Sequence, residues 1–103
     1  MTKGKIITVT GTLISDDEML SFAELCHAVH TDPELIIQLV EYRVIHPVGK
    51  SQADWQFDCV CLKRAKIARN FYHDLEVNLP GIALVIEMME EIAELESQLA
   101  RLK

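Results

Sequence analysis

The middle of the chain contains two helix-start signals close together, and a proline limits the length of the second helix. Ser21 and Glu24 have the spacing of a capping box, in which the hydroxyl and the carboxylate each bind a free backbone amide. Asp32 followed by Pro33 starts a second helix, with the aspartate as N-cap and the proline at the first helical position. Pro47 prevents that helix from continuing much further. The pattern predicts two short helices joined by a tight turn, which is a helix-turn-helix.

Each short helix has one apolar face, which predicts that both helices pack on a common core. In the first helix the apolar positions follow the i, i+3, i+4, i+7 spacing and are Phe22, Leu25, Cys26 and Val29. In the second helix the inner face is supplied by Ile36, Leu39 and Val40. Half of the 103 residues are apolar, so a small core is possible, although a chain this short gains stability from a partner subunit.

The segment after the second helix predicts a small hairpin. Residues 44–48 and 54–57 flank a turn at residues 49–52, and a hairpin here would be the wing of a winged helix-turn-helix. The alternative is an ordinary loop in which Trp55 and Phe57 pack onto the core.

Residues 5–14, rich in Ile, Val and Thr, suit a strand that Gly11 interrupts, and the later hairpin would supply the sheet that this strand joins. A polar loop at residues 15–18 comes next. The chain therefore divides into an N-terminal strand and loop (1–19), a winged helix-turn-helix (20–58) and a two-helix support and dimerisation region (59–103), all within one domain.

The charge of the helix-turn-helix segment is unsuited to a DNA reader. Binding to duplex DNA rests mainly on Lys and Arg contacts to phosphate, yet residues 20–58 contain only Arg43 and Lys50 as basic residues. The acids in the same segment are Glu24, Asp32, Glu34, Glu41, Asp54 and Asp58. With a net charge of −6 for the whole chain, this segment favours a basic protein partner over nucleic acid.

A third helix, with Asp58 as its N-cap, is predicted to run to about residue 75, and it contains the main basic cluster. Lys63, Lys66, Asn70 and His73 form one polar stripe, with Arg64 and Arg69 nearby. Three interpretations remain open: a phosphate-binding site, a solvated helix face, and pairing with acids elsewhere in the chain.

The break at residues 78–81 (NLPG) starts a last helix with a heptad pattern. Spacings of 3, 4, 3, 4 and 3 separate its apolar residues, which are Val85, Met88, Ile92, Leu95, Leu99 and Leu102. The seam extends beyond the reach of a small core, so it predicts a homodimer; the alternative is a helix packed on its own domain. In a parallel pair Glu91 would oppose Glu96 of the partner, which favours an antiparallel or crossed arrangement.

The sequence contains no recognisable catalytic or metal-binding motif. It lacks a Gly-rich phosphate loop, a G-x-S-x-G elbow and an H-E-x-x-H motif, so we expect neither an enzyme nor a cofactor. Cys26, Cys59 and Cys61 have the wrong number and spacing for a disulfide framework or a zinc site, and no metal is predicted. The absence of a long apolar run predicts a cytoplasmic protein.

Several segments resemble a known family of proteins. Three segments resemble parts of the winged helix of MerR-type regulators: LSFAELC at residues 20–26, DPE at 32–34 and WQFD at 55–58. Two later segments, LEVNLPGIA at residues 75–83 and MMEEI at 88–92, resemble the chaperone modulators called CbpM, a MerR-like branch. The resemblance spans about residues 20–102. It implies a mainly α, MerR-like winged helix-turn-helix with a small hairpin and an N-terminal strand, followed by a long C-terminal helix.

The resemblance also implies a function. CbpM proteins are dimers that bind the J-domain of a DnaJ-type co-chaperone, CbpA, and inhibit both its work with the chaperone DnaK and its binding to DNA. J-domains carry a basic helix that engages DnaK, so an acidic surface could cover it. The residues expected to contact the partner are Glu34, Gln38, Glu41, Asp54, Trp55 and Asp58. For each acid the alternative is plain solvation, and for Trp55 it is core packing.

Two other classes of function compete with this expectation. One is a dimeric transcription regulator that places its second helix in the major groove and its wing on the DNA backbone, for which Lys63, Arg64, Lys66 and Arg69 are the supporting residues. The other is a plain dimerisation or adaptor module.

Overall fold

The computed structural model describes residues 6–9, 12–15 and 18–102, which form four helices and two small antiparallel sheets. The helices are α1 (Phe22–Val29), α2 (Pro33–Glu41), α3 (Cys59–Asp74) and α4 (Leu79–Arg101). The strands are β1 (Ile6–Val9), β2 (Thr12–Ser15), β3 (Leu20–Ser21) and β4 (Gln56–Phe57), and a 3-10 helix covers Gln52–Asp54. None of the helices in the described part of the chain is both long and apolar enough to cross a membrane.

The predicted starts of both short helices are confirmed by their cap hydrogen bonds. The Glu24 amide donates to Ser21 Oγ at 3.1 Å and the Ser21 amide donates to Glu24 Oε1 at 2.8 Å, which completes the capping box. Asp32 Oδ1 accepts from the amide of Leu35 at 3.4 Å, and Pro33 opens α2. Between them His30 takes the left-handed conformation and ends α1, so the two helices change direction within a few residues.

The core forms where the apolar faces of α1 and α2 meet α3. Leu25, Cys26 and Val29 are buried on α1, as predicted, and Phe22 is half-buried beside them. On α2 the buried residues are Leu35, Ile36 and Leu39, whereas Val40 is only half-buried. The inner face of α2 is therefore rotated slightly toward Leu35, which the sequence pattern had not assigned to it.

The wing is present but small. A single antiparallel bridge joins Val48 to Gln56, with two backbone hydrogen bonds of 2.9 Å, and the 3-10 helix lies within the connection. β4 then pairs with β3 rather than extending the wing, with Leu20 opposite Phe57. Phe57 is fully buried, so the core packing expected for an ordinary loop occurs together with the hairpin.

The prediction of a single N-terminal strand over residues 5–14 is wrong. β1 and β2 instead pair with each other, with Val9 opposite Thr12, and their sheet is separate from that of β3 and β4. Because the connection between the two β-forming segments is short, their pairing loses little chain entropy. Pairing with a strand that is distant in sequence loses more, so the local pairing is favoured. Lys5, Thr10, Gly11 and residues 16–17 of the predicted strand and loop lie outside the described residues.

α4 begins on the domain and then leaves it. Asn78 Oδ1 accepts from the amide of Gly81 at 2.8 Å, which caps the helix, and Leu79, Ile82 and Ile86 are buried against the domain. From residue 87 to residue 102 every residue is exposed. About four turns of helix are therefore largely uncovered by the domain, with an ion pair from Glu90 to Arg64 near their start.

Replacing Gly49 by alanine should destabilise the wing. Gly49 has φ = 126°, and an added Cβ would lie 2.6 Å from the carbonyl oxygen of Asp54. We expect the free energy of unfolding, measured by urea denaturation, to fall by about 2 kcal/mol. Gln52→Ala, an exposed change in the same connection, is the control; equal stability of Gly49→Ala and wild type would contradict this account of the turn.

Candidate partner-binding surfaces

The outward side of α2 presents an acidic surface. Glu34 and Glu41 are exposed and Gln38 is half-buried, and their i, i+4, i+7 spacing places them along one stripe. This stripe lies on the opposite side of the helix from the buried residue Ile36. We refer to Glu34, Gln38 and Glu41 as the α2 outer face, which occupies the place where a DNA-binding helix-turn-helix carries its reading residues.

The predicted aromatic anchor of the wing is engaged in packing. The ring of Trp55 lies edge-on to Phe22, with centroids 5.9 Å apart, and edge-on to Phe57 at 6.0 Å. It is half-buried and packs against the core cluster. Beside it, exposed Asp54 accepts a hydrogen bond from Ser51 Oγ at 3.2 Å, within the wing. Trp55 therefore holds the wing to α1 and offers a partner only part of its surface.

Three of the six acids in the helix-turn-helix segment are helix caps. Asp58 Oδ1 accepts from the amide of Cys61 at 2.9 Å and caps α3, as Glu24 and Asp32 help to cap α1 and α2. A carboxylate at a helix N-terminus satisfies a free amide and complements the helix dipole. Part of the acidic excess thus has a purely structural cause, and the charge that remains for a partner is that of Glu34, Glu41 and Asp54.

The six predicted contact residues form two groups in the structure. Glu34, Gln38 and Glu41 share the α2 outer face, whereas Asp54, Trp55 and Asp58 surround the wing and the start of α3. Within the described residues no hydrogen bond, ion pair or ring contact connects the two groups.

Most of the basic cluster of α3 is occupied by contacts within the protein. Arg64 forms a two-point ion pair with Glu90 on α4, at 2.7 Å from Nε and 2.6 Å from a terminal nitrogen, and donates to the Val44 carbonyl at 3.1 Å. The hydrogen bonds to Glu90 raise the pKa of Arg64. Pairing with acids elsewhere in the chain, one of the three interpretations of this cluster, is thus observed for Arg64.

Lys66 and Arg69, two further cations of the cluster, lie near the end of α1. Arg69 Nε donates to the His30 carbonyl at 3.1 Å, and Lys66 is only 9% exposed, so the solvated-face interpretation is wrong for Lys66. Burial lowers the pKa of Lys66. Both residues border a surface cavity of about 270 Å³. Positive charge there complements the carbonyl end of α1, which gives these cations a structural role.

The exposed half of α4 has an uncovered apolar face. Met88, Ile92, Leu95, Leu99 and Leu102 are all exposed, and Val85 at the start of the seam is half-buried. At about 100° per residue this seam lies nearly opposite the face that Leu79, Ile82 and Ile86 bury on the domain. The alternative in which the whole seam packs on its own domain is therefore wrong, because only its first residue approaches the domain.

The three cysteines are free thiols in different surroundings. Cys26 and Cys61 are buried, and Cys61 Sγ lies 3.6 Å from the His46 carbonyl oxygen, to which it donates. Burial raises the pKa of both thiols, which keeps them protonated and unreactive at neutral pH.

Comparison with known proteins places this fold in a family. Residues 20–103 match the family described as MerR HTH family regulatory protein. The mainly α fold class and the MerR-like helix-turn-helix predicted from the sequence are confirmed by this match and by the structure.

Relatives of this chain indicate which branch of the family it belongs to. The chaperone modulatory protein CbpM of Coxiella burnetii (strain Dugway 5J108-111) is 47% identical over 95 residues, which cover 92% of this chain and 90% of that protein. CbpM of Pseudomonas putida (strain KT2440) is 31% identical over 84 residues, 82% of this chain and 83% of that protein. CbpM of Pseudomonas entomophila (strain L48) is 30% identical over the same share of each chain. The chain belongs to the CbpM family of chaperone modulatory proteins, as its resemblance implied.

Two variants separate the structural role of Asp58 from a role in partner binding. Asp58→Ala removes the cap of α3 and should lower the free energy of unfolding by about 1 kcal/mol, measured by urea denaturation. Asp58→Asn keeps an N-cap oxygen and should remain close to wild type in stability. If the free energy of unfolding of Asp58→Ala equalled that of Asp58→Asn and of wild type, the cap would not contribute to stability. Because the asparagine variant loses only the charge, its affinity for a partner reports the binding role alone.

Proposed function

We propose that this protein is a chaperone modulator that binds the J-domain of a DnaJ-type co-chaperone in the cytoplasm. Binding inhibits the co-chaperone's work with a DnaK-type chaperone and its attachment to DNA. The names of its relatives describe chaperone modulatory proteins, which supports the general role. The observation that carries the J-domain step is the α2 outer face, which presents Glu34 and Glu41 at the position of a DNA-reading surface.

Charge complementarity explains how such a surface would act. The basic helix by which a J-domain engages DnaK would face the carboxylates of α2, which attracts the correct partner and speeds the encounter. A modulator seated on that helix excludes DnaK by occupying the same surface. This mechanism requires binding alone, so it involves no catalytic step by the modulator.

The competing proposal of a DNA-binding regulator receives less support. Of the four cations that favoured it, Arg64 is paired with Glu90, Arg69 is bonded to the His30 carbonyl and Lys66 is buried. An acidic α2 would also repel phosphate in the groove that it has to enter.

We further propose that the exposed seam of α4 binds a second copy of this chain. Apolar residues at a and d positions over about two and a half heptads, on the side facing away from the domain, match the pattern of helices that pair. A second copy supplies the same pattern. An antiparallel or crossed arrangement separates Glu91 from Glu96 of the partner subunit and avoids their repulsion.

The partner proposal can be tested by titrating the full chain with an isolated J-domain of a DnaJ-type co-chaperone, by calorimetry at low salt. We expect binding at micromolar concentration or below. Glu34→Lys/Glu41→Lys should weaken it by about tenfold or more and flatten its salt dependence. Asp74→Lys/Glu76→Lys is the matched control, because both residues are exposed and the change in net charge is identical.

Each result of this titration has a clear consequence. If the wild-type chain does not bind the J-domain at micromolar concentration, the proposed function is wrong. Binding that the α2 double variant leaves unchanged would place the contact surface away from α2 while retaining the J-domain as partner.

The second-copy proposal is tested by sedimentation equilibrium. Leu95→Lys/Leu99→Lys places two charges in the seam and should convert a dimer to a monomer, because burying unpaired ammonium groups is strongly unfavourable. These substitutions are preferable to removing α4 from Val85 onward, which would also delete the buried residue Ile86. Val60→Lys/Leu75→Lys changes two equally exposed apolar residues on and beside α3, and it should leave the dimer intact. A Leu95→Lys/Leu99→Lys protein that still sedimented as a dimer would show that another surface forms the interface.

A further inference from the structure

We infer that Tyr42, at the C-terminal end of α2, is the aromatic anchor of the α2 outer face and receives a lysine or arginine side chain of the partner. This inference rests on the proposed function and specifies the chemistry of the same site. It assigns to Tyr42 the anchoring role that the sequence pattern had given to Trp55.

Exposure distinguishes Tyr42 from the other aromatic residues. Its side chain is 47% exposed, whereas Phe57 is buried and Phe22, Trp55 and Phe71 are half-buried against the core. The remaining aromatic residue, Tyr72, is 37% exposed, and its ring stacks edge-on with His73 at 5.4 Å. Tyr42 thus has the most exposed aromatic ring of the chain, and it is adjacent in sequence to Glu41.

The backbone that carries Tyr42 is held firmly. Its amide donates to the Gln38 carbonyl at 2.9 Å, and the Val44 amide donates to the Leu39 carbonyl at 2.9 Å. Val44 and Ile45, two and three residues further on, are buried in the core. The backbone that carries the ring is therefore fixed at the end of the acidic stripe. A partner that binds a preorganised group loses less conformational entropy than one that orders a loop.

The surroundings of the ring determine which group it can bind. Tyr42 lies one turn beyond Gln38, at the end of the stripe that starts at Glu34, and its two sequence neighbours are the exposed residues Glu41 and Arg43. The face of an aromatic ring attracts a cation, and nearby carboxylates strengthen that attraction. Lys and Arg can also lay their methylene groups across the ring while the charged end reaches a carboxylate. An exposed tyrosine at the end of an acidic stripe is thus suited to a basic helix, and tyrosine is enriched among residues that dominate binding energy.

The inference is tested by titrating the full chain and its variants with the isolated J-domain at two salt concentrations. Tyr42→Ala should weaken binding by about tenfold or more while leaving the salt dependence of the affinity unchanged, because no formal charge is lost. Tyr42→Phe keeps the aromatic face and should bind within about twofold of wild type. Tyr42→Leu keeps an apolar side chain without the aromatic face, and its affinity for the J-domain should be reduced almost as much as that of Tyr42→Ala.

Tyr72→Ala is the matched control, since it removes the other exposed tyrosine ring, on α3, and should leave the affinity unchanged. If the wild-type chain binds the J-domain and Tyr42→Ala binds equally well, Tyr42 is not the anchor, although the proposed function stands. Full affinity in Tyr42→Leu would show an apolar contact in place of a cation on the ring and would overturn the inferred chemistry. Failure of the wild-type chain to bind would overturn the proposed function and this inference together.

Discussion

The packing of the other three helices against α3 is the constraint on which this structure depends. α1 and α2 have eight and nine residues, too few to be stable as isolated helices in water. Each becomes stable by burying its apolar face against the middle of α3, where Leu62, Ala65 and Ala68 are fully buried. The two alanines allow neighbouring backbones to approach closely. β1, β4 and the first turns of α4 also contact α3, so the small core is organised around one helix.

This arrangement explains why acidic residues are so frequent in the helix-turn-helix segment. A domain of short helices has many N-termini, and each exposes amides that a carboxylate can satisfy. Glu24, Asp32 and Asp58 meet that need, and their charge is a consequence of the fold. Glu34 and Glu41 make no cap hydrogen bond among the described contacts, although Glu34 lies in the first turn of α2, where its charge complements the helix dipole. Both are exposed, and they are the acids to which we assign the contact with a basic partner.

Arg64 connects the two surfaces to which we assign binding. Its guanidinium group holds Glu90, where α4 leaves the domain, and the Val44 carbonyl, just beyond the end of α2. A charge-assisted, two-point pair of this kind fixes orientation as well as distance. Arg64 thereby holds both Glu90, near the start of the exposed half of α4, and Val44, two residues after Tyr42. The direction in which α4 projects is thus set relative to the α2 outer face.

The sequence by itself determined the features that depend on neighbours along the chain. The N-caps at Ser21, Asp32, Asp58 and Asn78 and the helix-turn-helix were predictable, because a cap bonds to an amide only a few residues away. The buried side of α1 was predictable for the same reason, since periodicity is a local property. On α2 the pattern missed Leu35, and it did not show that Leu79, Ile82 and Ile86 form the buried side of α4. Only the tertiary structure decided which strands pair, that Lys66 is buried, that Trp55 is engaged by Phe22 and Phe57, and that Tyr42 is exposed. These outcomes depend on tertiary contacts between elements that are distant in sequence, and the residue pattern within a single segment does not specify those contacts.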